Sequence, residues 1–136
     1  MGDLQVNKVF NHKFVFSQEH VLLFAEASGD RNPVHLSDEY ASNTIFKKKI
    51  IHGFLAGSVF SSFFGMIFPG EGSIYLSQNM KFLRPMFVDI LYEAEITIKE
   101  INHDRKRITF ETNVKDAEGE IKITGEAIIY NEKLFT

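Results

Sequence analysis

The chain has 136 residues, no cysteine and a formal net charge of −3, with 44% hydrophobic and 24% charged residues. This is the composition of one globular domain, residues 1–136, able to bury roughly two-thirds of its unfolded surface without disulfides or a structural metal. Thiol chemistry and zinc–thiolate sites are excluded, and the interspersed charges leave no basic stripe suited to nucleic acid.

The residues up to Asn11 hold no apolar run of the kind that marks a secretory leader, so a cytoplasmic setting is expected. Val9, Phe14 and Phe16 predict a first strand over 9–16. Ser17 then reads as a helix N-cap, with Gln18 and Glu19 in the first turn. His20 occupies the capping-box position, where Glu or Gln is more usual. Val21, Leu22, Phe24, Ala25 and Ala27 give helical spacing, and Gly29 ends the helix. Asp30-Arg31-Asn32-Pro33-Val34-His35 predicts a polar loop stiffened by Pro33, which is barred from a helix interior. A short helix follows from Ser37 through Ala41.

Lys47-Lys48-Lys49 has two readings: a solvated loop, or an attractor of phosphates near a site entrance. The most apolar stretch, from Gly53 to Phe68, is shorter than the ~20 residues of a membrane span and is broken by Ser58, Ser61 and Ser62. It predicts a helix over 54–68, apolar almost all round and therefore enclosed by other structure. The three serines share a helical face and suit packing under a sheet; no nucleophile elbow surrounds them. Pro69-Gly70 ends this helix.

The second half alternates with period two. Ile74, Leu76, Met80 and Phe82 form one apolar set, with Gln78 as a polar exception. Ile90, Tyr92, Ala94, Ile96 and Ile98 form a second, Ile108, Phe110, Thr112 and Val114 a third, and Ile121, Ile123, Gly125, Ala127 and Ile129 a fourth. Short turn-rich breaks between them predict an antiparallel sheet. The fold class is therefore α+β, with the sheet packed around the long helix. An open sheet leaves an edge strand exposed, and dimerisation is one remedy, so a homodimer or higher oligomer is expected.

Asp30 and His35 lie five residues apart across a proline-stiffened turn. They read either as an acid–base pair sharing a pocket, or as a turn cap and a surface histidine. His52-Gly53 opens the apolar helix, where unpaired N–H groups and a positive dipole end would suit an oxyanion; the simpler reading is a tight turn and a cap. A metal site from Asp30, His35 and His52 lacks any supporting ligand spacing, and no dinucleotide or nucleotide-triphosphate motif is present, so no cofactor is expected.

With these residues in view, the chain resembles the MaoC-like branch of the hotdog-fold superfamily, especially the short (R)-specific enoyl-CoA hydratases. The likeness spans about residues 16–130. It rests on Ser28-Gly29-Asp30-Arg31-Asn32-Pro33-Val34-His35, on Ile51-His52-Gly53-Phe54-Leu55-Ala56, on Gly72-Ser73-Ile74-Tyr75-Leu76 and on Phe82-Leu83-Arg84-Pro85-Met86-Phe87. The resemblance implies a hotdog fold, a dimer with substrate tunnels near the interface, catalytic roles for Asp30 and His35, and an oxyanion-hole amide at Gly53. It also implies supporting roles for Ser61, Asn32 and His52. Lys49 stands where relatives often carry proline. The implied reaction is reversible hydration of trans-2-enoyl-CoA to (R)-3-hydroxyacyl-CoA. The alternatives are a 3-hydroxyacyl-ACP dehydratase using the same residues, or a non-catalytic acyl-CoA-binding domain. A thioesterase would direct water at the carbonyl instead. No nucleic-acid or membrane partner is expected.

Overall fold

The computed structural model describes residues 2–136. The elements in chain order are β1 (Val9–Phe14), α1 (Gln18–Ser28), α2 (Pro33–Leu36), α3 (Asp38–Ser42), α4 (Gly53–Met66), β2 (Ser73–Phe82), β3 (Tyr92–Asn102), β4 (Arg107–Lys115) and β5 (Ile121–Asn131). A short 3₁₀ turn over Lys133–Phe135 closes the chain. Every strand pairing is antiparallel, and the five strands lie in the order β1-β3-β4-β5-β2. Thus β3, β4 and β5 form a meander, while β1 and β2 close its two sides as edge strands.

One face of the meander is apolar and covered. Ala94, Ile96 and Ile98 of β3, Ile108, Phe110 and Val114 of β4, and Ile123, Ala127 and Ile129 of β5 share a core with Leu55, Val59, Phe60, Phe63 and Phe64 of α4. The period-two spacing and the one-sided burial are the same fact, since alternate side chains point to opposite faces. The α+β arrangement of a sheet around a central helix is therefore as the sequence led us to expect.

Three details differ from the sequence expectation. The first strand ends at Phe14 and β3 begins at Tyr92, so Phe16 and Ile90 lie outside the ladder. In β2 the register against β5 slips between Tyr75 and Ser77, leaving Leu76 as an extra residue. Such a bulge reverses which side chains face inward. Tyr75 consequently meets Phe64 edge-on, with ring centroids 5.5 Å apart. Ile74 and Leu76 turn outward, and only Met80 and Phe82 of that apolar set share the Gln78 side. Gln78 reaches across to β4 and donates from Nε2 to Thr112 Oγ1 at 2.9 Å.

The long helix is enclosed on one side only. Phe54 and Met66 remain 68% and 81% exposed. Ser58, Ser61 and Ser62 lie on this open side, so they do not pack under the sheet. Among the described residues, no helix is long and apolar enough to cross a membrane.

Candidate active site

The segment between α1 and α2 is built by short polar side chains bonding to nearby backbone. Gly29 ends α1 with φ of 82°, a left-handed turn that glycine adopts without steric cost. Ser28 Oγ accepts from Asp30 N–H at 3.1 Å, Asp30 Oδ1 from Asn32 N–H at 3.2 Å, and Asn32 Oδ1 from Val34 N–H at 3.2 Å. Asn32 is thus the N-cap of α2. Residues 33–36 are helical where an irregular loop was expected. Pro33 stands at the first helical position, where its missing N–H has no bond to lose and its fixed φ suits the helix.

This single turn carries His35 into the interior, where it is 8% exposed. The surface-residue reading of His35 does not hold. Its Nδ1 lies 2.7 Å from the Ile50 carbonyl oxygen. A carbonyl only accepts, so Nδ1 carries the hydrogen and Nε2 is left as a bare acceptor. Burial pushes His35 below the ordinary imidazole range; the Ile50 carbonyl pulls the other way, His52 adds to the depression and Asp30 opposes it. The neutral ring therefore prevails at neutral pH. Gln18 braces the turn by donating from Nε2 to the His35 carbonyl at 3.1 Å.

His52 is the N-cap residue of α4, yet its side chain does not cap the helix. Its Nε2 instead meets the Asp30 carbonyl at 2.9 Å. Ala56 N–H makes the first helical bond, to His52 O at 3.1 Å. Gly53 N–H is consequently free for a ligand at the positive end of a 14-residue helix. A Cβ at Gly53 would fall 2.8 Å from the Phe82 ring, so glycine is what allows that ring to lie over the helix start.

Asp30 and His35, nominated from the sequence as an acid–base pair, Gly53, nominated as an oxyanion amide, and His52, nominated as a supporting residue, line one cavity of about 570 Å³. This is within the usual range for small-molecule sites. Its remaining wall is mainly apolar, with Phe24, Phe46, Ile51, Phe82, Met86 and Ile123, and Arg84 adds a cation. Asn32 lies outside the lining. Ser61 is not part of the lining and sits on the open side of α4.

Asp30, His35 and His52 each offer a ligand-type atom within 4.8 Å of the others. The hydrogen bonds argue against a shared ion. His35 Nδ1 and His52 Nε2 already face backbone carbonyls, and His52 Nδ1 is sealed from solvent. What remains facing the cavity is a carboxylate and one imidazole acceptor.

Sequence reasoning missed Gln18, Phe24, Phe82 and Arg84. Gln18 carried only the signal of a first-turn residue. Phe24 sat within a helical apolar stripe, although it touches His52 with centroids 4.8 Å apart. Nothing local could place Phe82 over Gly53, because that contact joins a strand to a helix start.

Comparisons with known proteins bear on the family and the fold. Residues 5–120 match the family described as MaoC like domain. The (R)-specific enoyl-CoA hydratase of Aeromonas caviae is 38% identical over 84% of this chain and 85% of its own length. The (R)-specific enoyl-CoA hydratase of Rhodospirillum rubrum is 36% identical over 83% of this chain and 78% of its own. The solved structure of the (R)-hydratase from A. caviae involved in PHA biosynthesis superposes with a TM-score of 0.90 at 34% identity, covering 96% of this chain and 99% of that one.

Proposed function

The chain belongs to the MaoC-like domain family, and on that footing we propose that it is an (R)-specific enoyl-CoA hydratase whose acid–base pair is Asp30 and His35. The reaction is the reversible syn addition of water to a trans-2-enoyl-CoA, giving the (R)-3-hydroxyacyl-CoA. The observation that carries the residue assignment is the pairing, in one cavity, of the Asp30 carboxylate with a neutral His35 whose Nε2 takes no partner from the chain.

In the proposed mechanism the thioester oxygen accepts from Gly53 N–H. The helix end then stabilises the enolate character that develops there, and C2=C3 is polarised. One water donates its two hydrogens to Asp30 and to His35 Nε2. As its oxygen bonds to C3, one of its protons passes to the pair, the other stays on the new hydroxyl, and the pair returns a proton to C2 on the same face. No external oxidant or reductant is needed, and the reverse sequence dehydrates. Asn32 holds the loop.

The apolar cavity wall suits the acyl chain. Lys47, Lys48 and Lys49 lie between the lining residues Phe46 and Ile50, and with Arg84 they offer positive charge to the phosphates of CoA. We also propose a homodimer joined along β2. That strand is a ten-residue sheet edge with exposed Ile74 and Leu76, and it neighbours α4, on whose open side Ser61 would support the tunnel. The proposed compartment is the cytoplasm, where CoA thioesters are turned over.

The decisive assay gives purified protein crotonyl-CoA and follows loss of enoyl absorbance and the chirality of the product. Formation of (R)-3-hydroxybutyryl-CoA, abolished in Asp30→Ala and His35→Ala, is expected. Formation of the (S) product, or undiminished kcat in both variants, would overturn the assignment.

A further inference from the structure

We propose that His52 is a positioning residue that sets the distance between the proton-transfer pair and the oxyanion amide. The inference rests on the hydratase reading above. His52 is 2% exposed and makes no cap for its own helix. Among the described residues, the one hydrogen bond of its ring runs 22 residues back along the chain, to the Asp30 carbonyl at 2.9 Å. Since that acceptor is a carbonyl, Nε2 must carry the hydrogen. Nδ1 then has only a lone pair, and it is buried without a partner.

This arrangement locks the ring in one form. The ring also stacks on His35, with centroids 3.9 Å apart and planes 29° from parallel. His52 thus presents a fixed N–H to the Asp30 main chain and a flat support beside His35.

One residue therefore touches all three parts of the site. Its backbone adjoins the Gly53 amide, its Nε2 holds Asp30 and its ring face holds His35. An ordinary N-cap side chain would fold back onto the helix and occupy the amides that a thioester oxygen needs. His52 leaves them free by reaching outward. It does not touch the reacting atoms, so removing it should disturb alignment more than binding.

The test compares two buried amides of different reach. In His52→Gln the side-chain NH₂ falls near the position of Nε2 and restores the donor to Asp30. In His52→Asn it falls near Nδ1 and cannot. His52→Asn should lose kcat by roughly 10–100-fold with little change in KM, as expected when reacting groups shift by about 1 Å. His52→Gln should recover most of that loss. Equal kcat in the two variants, both folded by circular dichroism and with matching Tm, would overturn the proposal. A KM rise with unchanged kcat in His52→Asn would do the same. ¹⁵N spectra of the wild-type histidine rings supply a readout independent of turnover. A hydrogen on His52 Nε2 is expected, and a bare Nε2 would sink the idea. If wild-type protein hydrates no enoyl thioester, the hydratase reading fails, while the ring spectra still judge His52.

Discussion

The β3–β4–β5 meander and the segment from Gly29 to Ser37 are both held by hydrogen bonds, but of different kinds. In the meander, backbone bonds tie β4 to a neighbour on each side, and the apolar face is sealed against α4. In the Gly29–Ser37 segment, order comes from side chains bonded to nearby backbone: Ser28 to Asp30, Asp30 to Asn32, Asn32 to Val34 and His35 to Ile50. The sheet has many equivalent supports, and the segment has a few unlike ones. Substitutions in the sheet should therefore register as lost stability, and substitutions in the segment as lost turnover.

The largest expected effect tests the segment. Asp30→Ala or His35→Ala should lower kcat by roughly 10²–10⁴-fold, the span of general acid–base contributions. Tm should change little for Asp30→Ala, whose side chain is exposed. A large fall in Tm with normal turnover in the folded fraction would erase the contrast between the regions. The sheet side is tested next by Phe60→Ala. Phe60 is fully buried between helix and sheet, and its truncation should cost about 3–5 kcal/mol in denaturant unfolding. The remaining folded protein should keep its kcat.

A finer probe uses pH. In the proposed mechanism, hydration requires bare Nε2 on His35, and burial holds that ring below the ordinary imidazole range. Lowering the pH protonates it and removes the acceptor, so the acid limb of kcat/KM should lie below the pH at which a free imidazole titrates. A limb at or above that point would contradict the buried, neutral ring. The smallest effect expected is at the start of α1. Ser17 Oγ accepts from His20 N–H, and His20 Nδ1 accepts in return from Ser17 N–H. Ser17→Ala should cost about 1 kcal/mol of stability and leave turnover intact.

How much of this was legible in the sequence follows from the same contrast. The meander was readable because Tyr92, Ala94, Ile96 and Ile98 alternate at the period with which they are buried. β2 was half-read, because one extra residue at Leu76 reverses the faces and leaves no composition signal. α4 was recognised as a helix, but an all-apolar stretch has no periodicity to say which side stays open. At the site, the spacing of Asp30, Pro33 and His35 brought the pair into view before any coordinates. The bond from His52 to Asp30 was not visible, since it depends on how two distant segments meet. His20 shows a milder case: its position suggested a capping box, but only the geometry shows a ring nitrogen taking the place of a carboxylate.

The strand order has a kinetic consequence. Asn102 faces Arg107, and Lys115 faces Ile121, across tight turns, so the meander can zip from local contacts. β1 must instead find β3, bringing Val9 against Thr97, and β2 must find β5, bringing Ile74 against Tyr130. Closing such long loops is the slow part of building a sheet. Mutations in the β3–β4–β5 turns should therefore slow folding, while those in β1 and β2 should mainly hasten unfolding. The outer strand that would meet a second subunit is thus among the last pieces to be laid down, and a nascent monomer would reach a nearly finished interior before it has an edge to offer.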